Sequence, residues 1–289
     1  MIVFSEGPDD PHNHDDFSGW RHTLVRLMNA HLACLWTVVD APYAWSSVVT
    51  VGDVLQVRFG DAHSMVASPG TQSATLAIQL FSARLMPEEE RADWRFDRPS
   101  LLITGEQMEA SFDLLGRLLD HAAPSDKNTA PLTRPALLHA ELLHSARIAL
   151  AEGDSSGALV NAWIACEALL GDLLARYLDE VSSRDGGVDE SGNRCAFMGS
   201  SRRGFFERDA SWSIRHTVEL LSLLDIIPFA LYRKVHQCAK ARNNWLHVQQ
   251  EPDRGVPQDA IRAAGHLFSL VYDVPFELIR DHSGLVPPA

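Results

Sequence analysis

Apolar residues in the second half of the chain recur at three- and four-residue steps, the spacing of one face of an α-helix. The clearest stripe comprises Leu159, Trp163, Cys166, Leu170 and Leu173. Stretches with the same period begin near residues 135, 213, 229 and 257. The pattern therefore predicts an all-α bundle of about five helices over residues 135–289.

The first half mixes helical and strand patterns. A helical stripe starts at Ser18, the predicted N-cap. The β-branched runs 46–50 and 54–59 flank a Val-Gly-Asp turn and predict a hairpin, and 74–80 and 101–103 predict further strands. Thr104 and Gln107 stand at capping-box spacing and open another amphipathic helix. Residues 18–122 are thus predicted to form an α+β domain of unknown role.

Three polar segments divide the chain. Residues 1–17 predict a solvated arm, although His12 and His14 leave open a metal site and, with it, a metal hydrolase. Residues 123–134 contain two prolines and predict a linker. Residues 182–209 form a Gly/Ser-rich insertion, predicted to be a mobile loop, whose arginines either face solvent or lie over a polyanion; they include Arg202 and Arg203.

The overall charge restricts the kinds of partner. A formal net charge of -13 argues against a general nucleic-acid coat protein, because non-specific binding depends on neutralising phosphates. Any RNA contact must be local. The four cysteines are far apart in the sequence and predict reduced core thiols. With neither a secretory signal nor an 18-residue apolar run, the sequence predicts a cytoplasmic protein without a membrane partner.

One helix is locally basic in this acidic chain. It carries Arg233, Lys234 and Lys240 and leads into the run Ala-Arg-Asn-Asn-Trp-Leu-His, residues 241–247. Arg242 offers a permanent charge and a planar fork of donors that suits phosphate, while His247 can exchange protons near neutrality. Asn243 and Asn244 add amides between them. The group suits phosphodiester chemistry without a metal or other cofactor.

Glu167 lies one turn after Trp163, beside the apolar stripe. It is either an edge glutamate in water or the partner of a basic group on another helix. A purely structural alternative for the whole motif has Arg242 paired with Glu167 and His247 capping a helix end.

The Arg-Asn-x3-His element on the penultimate helix, together with the Trp163-x3-Glu167 pair, resembles the HEPN superfamily, and in particular its Apea-like group. The resemblance covers about residues 135–275. It implies a homodimer whose two motifs face one another, and metal-independent endoribonuclease activity that leaves 2',3'-cyclic phosphate ends. His247 would be the general acid or base and Arg242 the phosphate clamp. It also implies a toxin or phage-defence role, with RNA and a neutralising or regulatory protein as partners.

Helix geometry sets a condition on that assignment. Residues five apart project about 140° from one another on a straight helix. We therefore expect a helix break near Asn244, with Asn243 orienting the His247 ring and a second subunit completing the site. The alternative is a non-catalytic HEPN module that binds a nucleotide or protein, or serves in dimerisation.

Overall fold

The structure is a computed structural model that describes residues 14–39, 54–59, 62–67, 104–120, 135–182, 184–188, 194–208 and 212–279. Helices dominate these residues. They are α1 (His14–Val38), α2 (Gly105–Asp120), α3 (Pro135–Glu152), α4 (Ser155–Ser182), α5 (Ser200–Arg208), α6 (Ile214–Leu223), α7 (Phe229–Val248) and α8 (Gly255–Tyr272). The strands are β1 (Val54–Phe59), β2 (Ala62–Ala67), β3 (Asp185–Val188) and β4 (Arg194–Ala196).

The core is centred on α4, which packs between α3 and α8. Its predicted stripe is buried, and Leu159, Cys166 and Leu170 are inaccessible to solvent. Phe268 of α8 meets this stripe in one contiguous apolar cluster. Burial of apolar area on this scale is the main force that holds such a bundle together.

The predicted α+β N-terminal domain is wrong for the part of the chain that the structure describes. α1 packs on α2 and α3, and Cys34 of α1 and Leu118 of α2 belong to the same core cluster as the C-terminal helices. Among the described residues, β1 pairs with β2 and β3 pairs with β4, each antiparallel. The physical reason is that the buried stripe of α1 needs helices to cover it, whereas the strands that the structure describes form two separate two-stranded sheets.

The predicted capping box, helix start and strands of the first half can each be compared with the structure. The capping box is confirmed, since the Gln107 N–H donates to Thr104 Oγ1 at 3.2 Å and the Thr104 N–H donates to Gln107 Oε1 at 3.0 Å. α1 begins at His14 rather than at Ser18. β1 pairs with β2. The predicted strands 46–50, 74–80 and 101–103 and the predicted linker 123–134 lie outside the described residues.

The insertion after α4 contains more structure than predicted. It holds the β3–β4 hairpin and α5, so six helices rather than about five follow residue 135 in the described residues. Phe206 of α5 packs with Trp212 against a small cluster at the end of α4 that includes Leu178 and Val181. Apolar contacts therefore hold this part of the insertion against the end of α4.

Among the described helices, α4 is long and apolar enough to cross a bilayer by length and composition. Over half of its apolar window, 56%, is buried inside the protein. A core helix of a globular protein has the same composition, so this helix is weak evidence for or against a membrane-spanning segment.

Candidate anion site between α4, α6 and α7

Arg242 is held by three neighbours while remaining partly open to solvent. Its Nη1 donates to Asn243 Oδ1 at 3.0 Å. Its Nη2 lies 3.9 Å from Glu167 Oε1, with 31% and 36% of the two side chains exposed. The guanidinium carbon lies 5.9 Å from the centre of the Trp163 ring, within cation–π distance. These contacts hold the side chain in place, and among the described residues they use only some of its five N–H donors.

The two partners on α4 reach Arg242 because they are four residues apart. This spacing places Trp163 and Glu167 on one side of the helix. Trp163 is only 2% exposed and anchors that side in the core, while Glu167 lies at its edge and is half-buried. The structure therefore brings Glu167 and Arg242 together, as the pairing alternative predicts.

A cavity of about 490 Å³ opens beside this group, between α4, α6 and α7. Its permanent cations are Arg215, Lys240 and Arg242, and Glu167 is the carboxylate among its lining residues. Trp163 and Tyr232 supply aromatic surface. The cavity is therefore locally cationic in a chain whose net charge is -13.

Sequence reasoning missed His236 and Arg215 as members of this site. Tyr232, His236, Lys240 and Asn244 are spaced by four residues along α7 and all line the cavity. A hydrogen bond to the Glu219 carboxylate raises the pKa of the Tyr232 phenol and links α7 to α6. The four-residue spacing is visible in the sequence, but only the placement of α6 makes this face one wall of a cavity.

His247 lies apart from the cavity. α7 continues unbroken to Val248, and the left-handed residue Gln249 forms its C-cap. The expected helix break near Asn244 is therefore wrong, and His247 is exposed in the last turn at about 140° from Arg242. Asn243 accepts a hydrogen bond from Arg242, and no bond joins it to His247 in the described structure. A regular helix satisfies its backbone hydrogen bonds without the break that the motif would need.

The other predicted RNA-binding residues are dispersed. Arg233 is exposed on α7, outside the cavity. Lys234 Nζ lies 3.9 Å from Asp259 Oδ1 of α8. Arg203 of α5 pairs with Asp179 of α4. Arg202 belongs to α5, but its side chain lies outside the described structure, as does His12. Of this predicted set, Lys240 lines the cavity.

No family model matches the chain, and neither a curated protein nor a solved structure is similar to it at a level that establishes a relationship. The HEPN resemblance consequently rests on the residues of the motif and of α4.

Proposed function

We propose that the protein is a metal-independent endoribonuclease of HEPN type. The observation that carries the proposal is the arrangement of Arg242, which Glu167 and Asn243 hold half-exposed at a cationic cavity. Arginine in such a position suits a phosphodiester, because its planar donors match phosphate oxygens. A local concentration of positive charge lets RNA bind a chain that is acidic overall.

RNA supplies its own nucleophile in this reaction. The 2'-oxygen forms a bond to phosphorus as its proton is removed, and the bond from phosphorus to the 5'-oxygen breaks as that oxygen is protonated. The products are a 2',3'-cyclic phosphate and a 5'-hydroxyl. Arg242 stabilises the charge on the phosphorane, and His247 transfers one of the protons.

This chemistry requires two copies of the chain, because one straight helix cannot direct Arg242 and His247 at the same phosphate. In our proposal His247 acts beside the motif of a second copy. The end of α7 supports this, because Leu246 and Val248 flank His247 and are exposed apolar side chains. Apolar surface next to a functional residue is typical of an interaction site.

A second candidate is a module that binds a phosphate-bearing ligand without cleaving it. The position of His247 outside the cavity favours this function, since a single chain then has a phosphate site and no proton-transfer group from the motif within it. The pairing of Arg242 with Glu167 is compatible with either function.

One assay separates the two candidates. Purified protein is incubated with single-stranded RNA in EDTA, and the ends of the products are identified. We expect cleavage with 2',3'-cyclic phosphate ends, lost in Arg242→Ala and His247→Ala. Arg254→Ala and His266→Ala are matched controls, because both side chains are exposed outside the cavity.

Three results decide the outcome. RNA binding without cleavage by the unmodified protein supports the binding module. Cleavage that persists in both motif variants, or that needs a divalent metal, overturns the nuclease. If the proposed toxin or phage-defence role holds, expression of the unmodified chain slows bacterial growth, and His247→Ala relieves this effect.

A further inference from the structure

Two of the cavity's cations form no ion pair within the part of the chain that the structure describes. Arg215 of α6 and Lys240 of α7 line it, and neither forms an ion pair with another described residue. The contrast with their neighbours is informative, because Lys234 faces Asp259, and Arg242 faces Glu167. Unpaired positive charge therefore collects on the cavity wall.

His236 adds a hydrogen-bonding group to the same wall. It is exposed, it lies one helical turn before Lys240, and its ring centre is 6.1 Å from that of Tyr232. This imidazole, unlike that of His247, shares a cavity with Arg242 in a single chain. Arg215, His236 and Lys240 thus converge from two helices on one space.

The inner wall has a further unused donor. The indole Nε1 of Trp163 is buried and has no hydrogen-bond partner in the described structure. Trp163 also lines the cavity. Buried donors in native proteins are nearly always paired, so an unpaired indole N–H on a cavity-lining residue is consistent with a ligand acceptor in the bound state.

We propose that this cavity, the nucleotide pocket, holds the RNA nucleotide next to the cleaved bond, with Arg215, His236 and Lys240 binding its phosphate. The inference rests on the proposed RNA cleavage and extends it to residues outside the predicted motif. A volume of about 490 Å³ lies in the usual range of ligand sites, roughly 300–1,000 Å³, and leaves room for sugar and base beside the phosphate. Half-buried Tyr232 presents aromatic surface to that base.

The test measures binding separately from cleavage. His247→Ala protein is titrated into fluorescently labelled short single-stranded RNA at several salt concentrations. Adding Arg215→Ala and Lys240→Ala together is expected to weaken binding about tenfold or more. The salt dependence should become shallower by roughly 0.7 per lost phosphate contact. His236→Ala should weaken binding by a smaller factor, and Arg254→Ala and His266→Ala should leave it unchanged.

RNA with a 5'-hydroxyl or a 5'-phosphate identifies the phosphate that is bound. Equal affinities that both fall in the double variant indicate an internal diester. A preference for the 5'-phosphate that disappears in the double variant indicates a terminal group. If the Arg215→Ala/Lys240→Ala variant binds RNA with the same affinity and salt dependence as Arg254→Ala, the nucleotide pocket is wrong.

The failure of the pocket and the failure of the nuclease can be told apart. If the unmodified chain cleaves RNA and the Arg215→Ala/Lys240→Ala variant has the same kcat/KM, the pocket is wrong and the nuclease stands. If the double substitution abolishes RNA binding by a chain that never cleaves, the pocket stands without the nuclease. Thermal melts check the fold of every variant. The control substitutions Arg254→Ala and His266→Ala should leave the melting temperature unchanged.

Discussion

Arg242 Nη2 lies 3.9 Å from Glu167 Oε1, at the outer limit of an ion pair, and about a third of each side chain is exposed (31% and 36%). Such pairs contribute about 0–1 kcal/mol to stability, because water screens them. The same carboxylate faces the cavity that we assign to RNA. We therefore expect Glu167 to lower the affinity of the site for phosphate while it keeps Arg242 in place.

Glu167→Gln should separate these two effects. We expect the free energy of unfolding to change by less than about 1 kcal/mol, and RNA affinity to rise because a negative charge leaves the cavity. Urea unfolding and RNA titration measure the two quantities. Glu180→Gln is a matched control on α4, since Glu180 pairs with Arg184 in an exposed position. Weaker RNA binding in Glu167→Gln would contradict this electrostatic account.

The core position of α4 makes a second prediction. Leu170→Ala should lower the free energy of unfolding by about 2–5 kcal/mol, because the leucine is fully buried and its removal leaves a cavity. Ile164 lies on the same helix but is 44% exposed. Ile164→Ala should therefore cost far less, within roughly 1 kcal/mol. Equal losses in urea unfolding would mean that α4 is oriented differently.

The helices could be predicted from the sequence because the hydrophobic pattern that marks each of them is local. The stripe of α4 repeats every three or four residues, and its buried side chains are those that the period selects. The capping box at Thr104 is local in the same way. The α+β domain was wrong because strand propensity says little about which elements share a core, and α1 joins the helical core through Cys34 and its neighbours.

Only part of the site could be predicted from the sequence. Trp163, Glu167 and Arg242 could be grouped through the family resemblance, and the structure brings them together. Arg215 and His236 were missed because they become neighbours only when α6 packs beside α7. The expected helix break had no support in the sequence itself, since residues 241–248 include neither proline nor glycine.

The end of α7 provides a third prediction. Gln249 has φ 56° and ψ 30°, a left-handed conformation that glycine adopts at much lower cost than glutamine. Gln249→Gly should raise the free energy of unfolding by roughly 0.5–1 kcal/mol, because relief of a left-handed penalty of about 1–2 kcal/mol exceeds the entropy cost of glycine. Gln250→Gly is the control, because its φ is not positive and glycine there only loosens the chain. Destabilisation by Gln249→Gly would argue against this helix end.

The fourth prediction concerns a buried histidine far from the motif. His139 Nδ1 of α3 and the Tyr272 hydroxyl of α8 form a 2.8 Å hydrogen bond in the core. Burial lowers the pKa of His139 to about 4, from an ordinary value of 6.5. The folded state therefore favours neutral His139, whereas the unfolded chain takes up a proton as the pH falls below 6.5. Stability should be lost between pH 6.5 and about 4.

The loss from His139 is on the order of 3 kcal/mol, since each pKa unit corresponds to about 1.4 kcal/mol. Asp172 lies 3.9 Å from His139 and opposes part of this loss, because burial raises the pKa of its carboxyl and favours its protonated form in the folded protein. Urea midpoints from pH 7 to 4 measure the net effect. His139→Gln should flatten the profile, and His266→Gln, at an exposed position of α8, should leave it unchanged. Identical slopes for His139→Gln and the unmodified protein would mean that another group causes the acid sensitivity. Glutamine does not titrate, so the unfolded variant cannot take up the proton that His139 takes up in the unfolded chain.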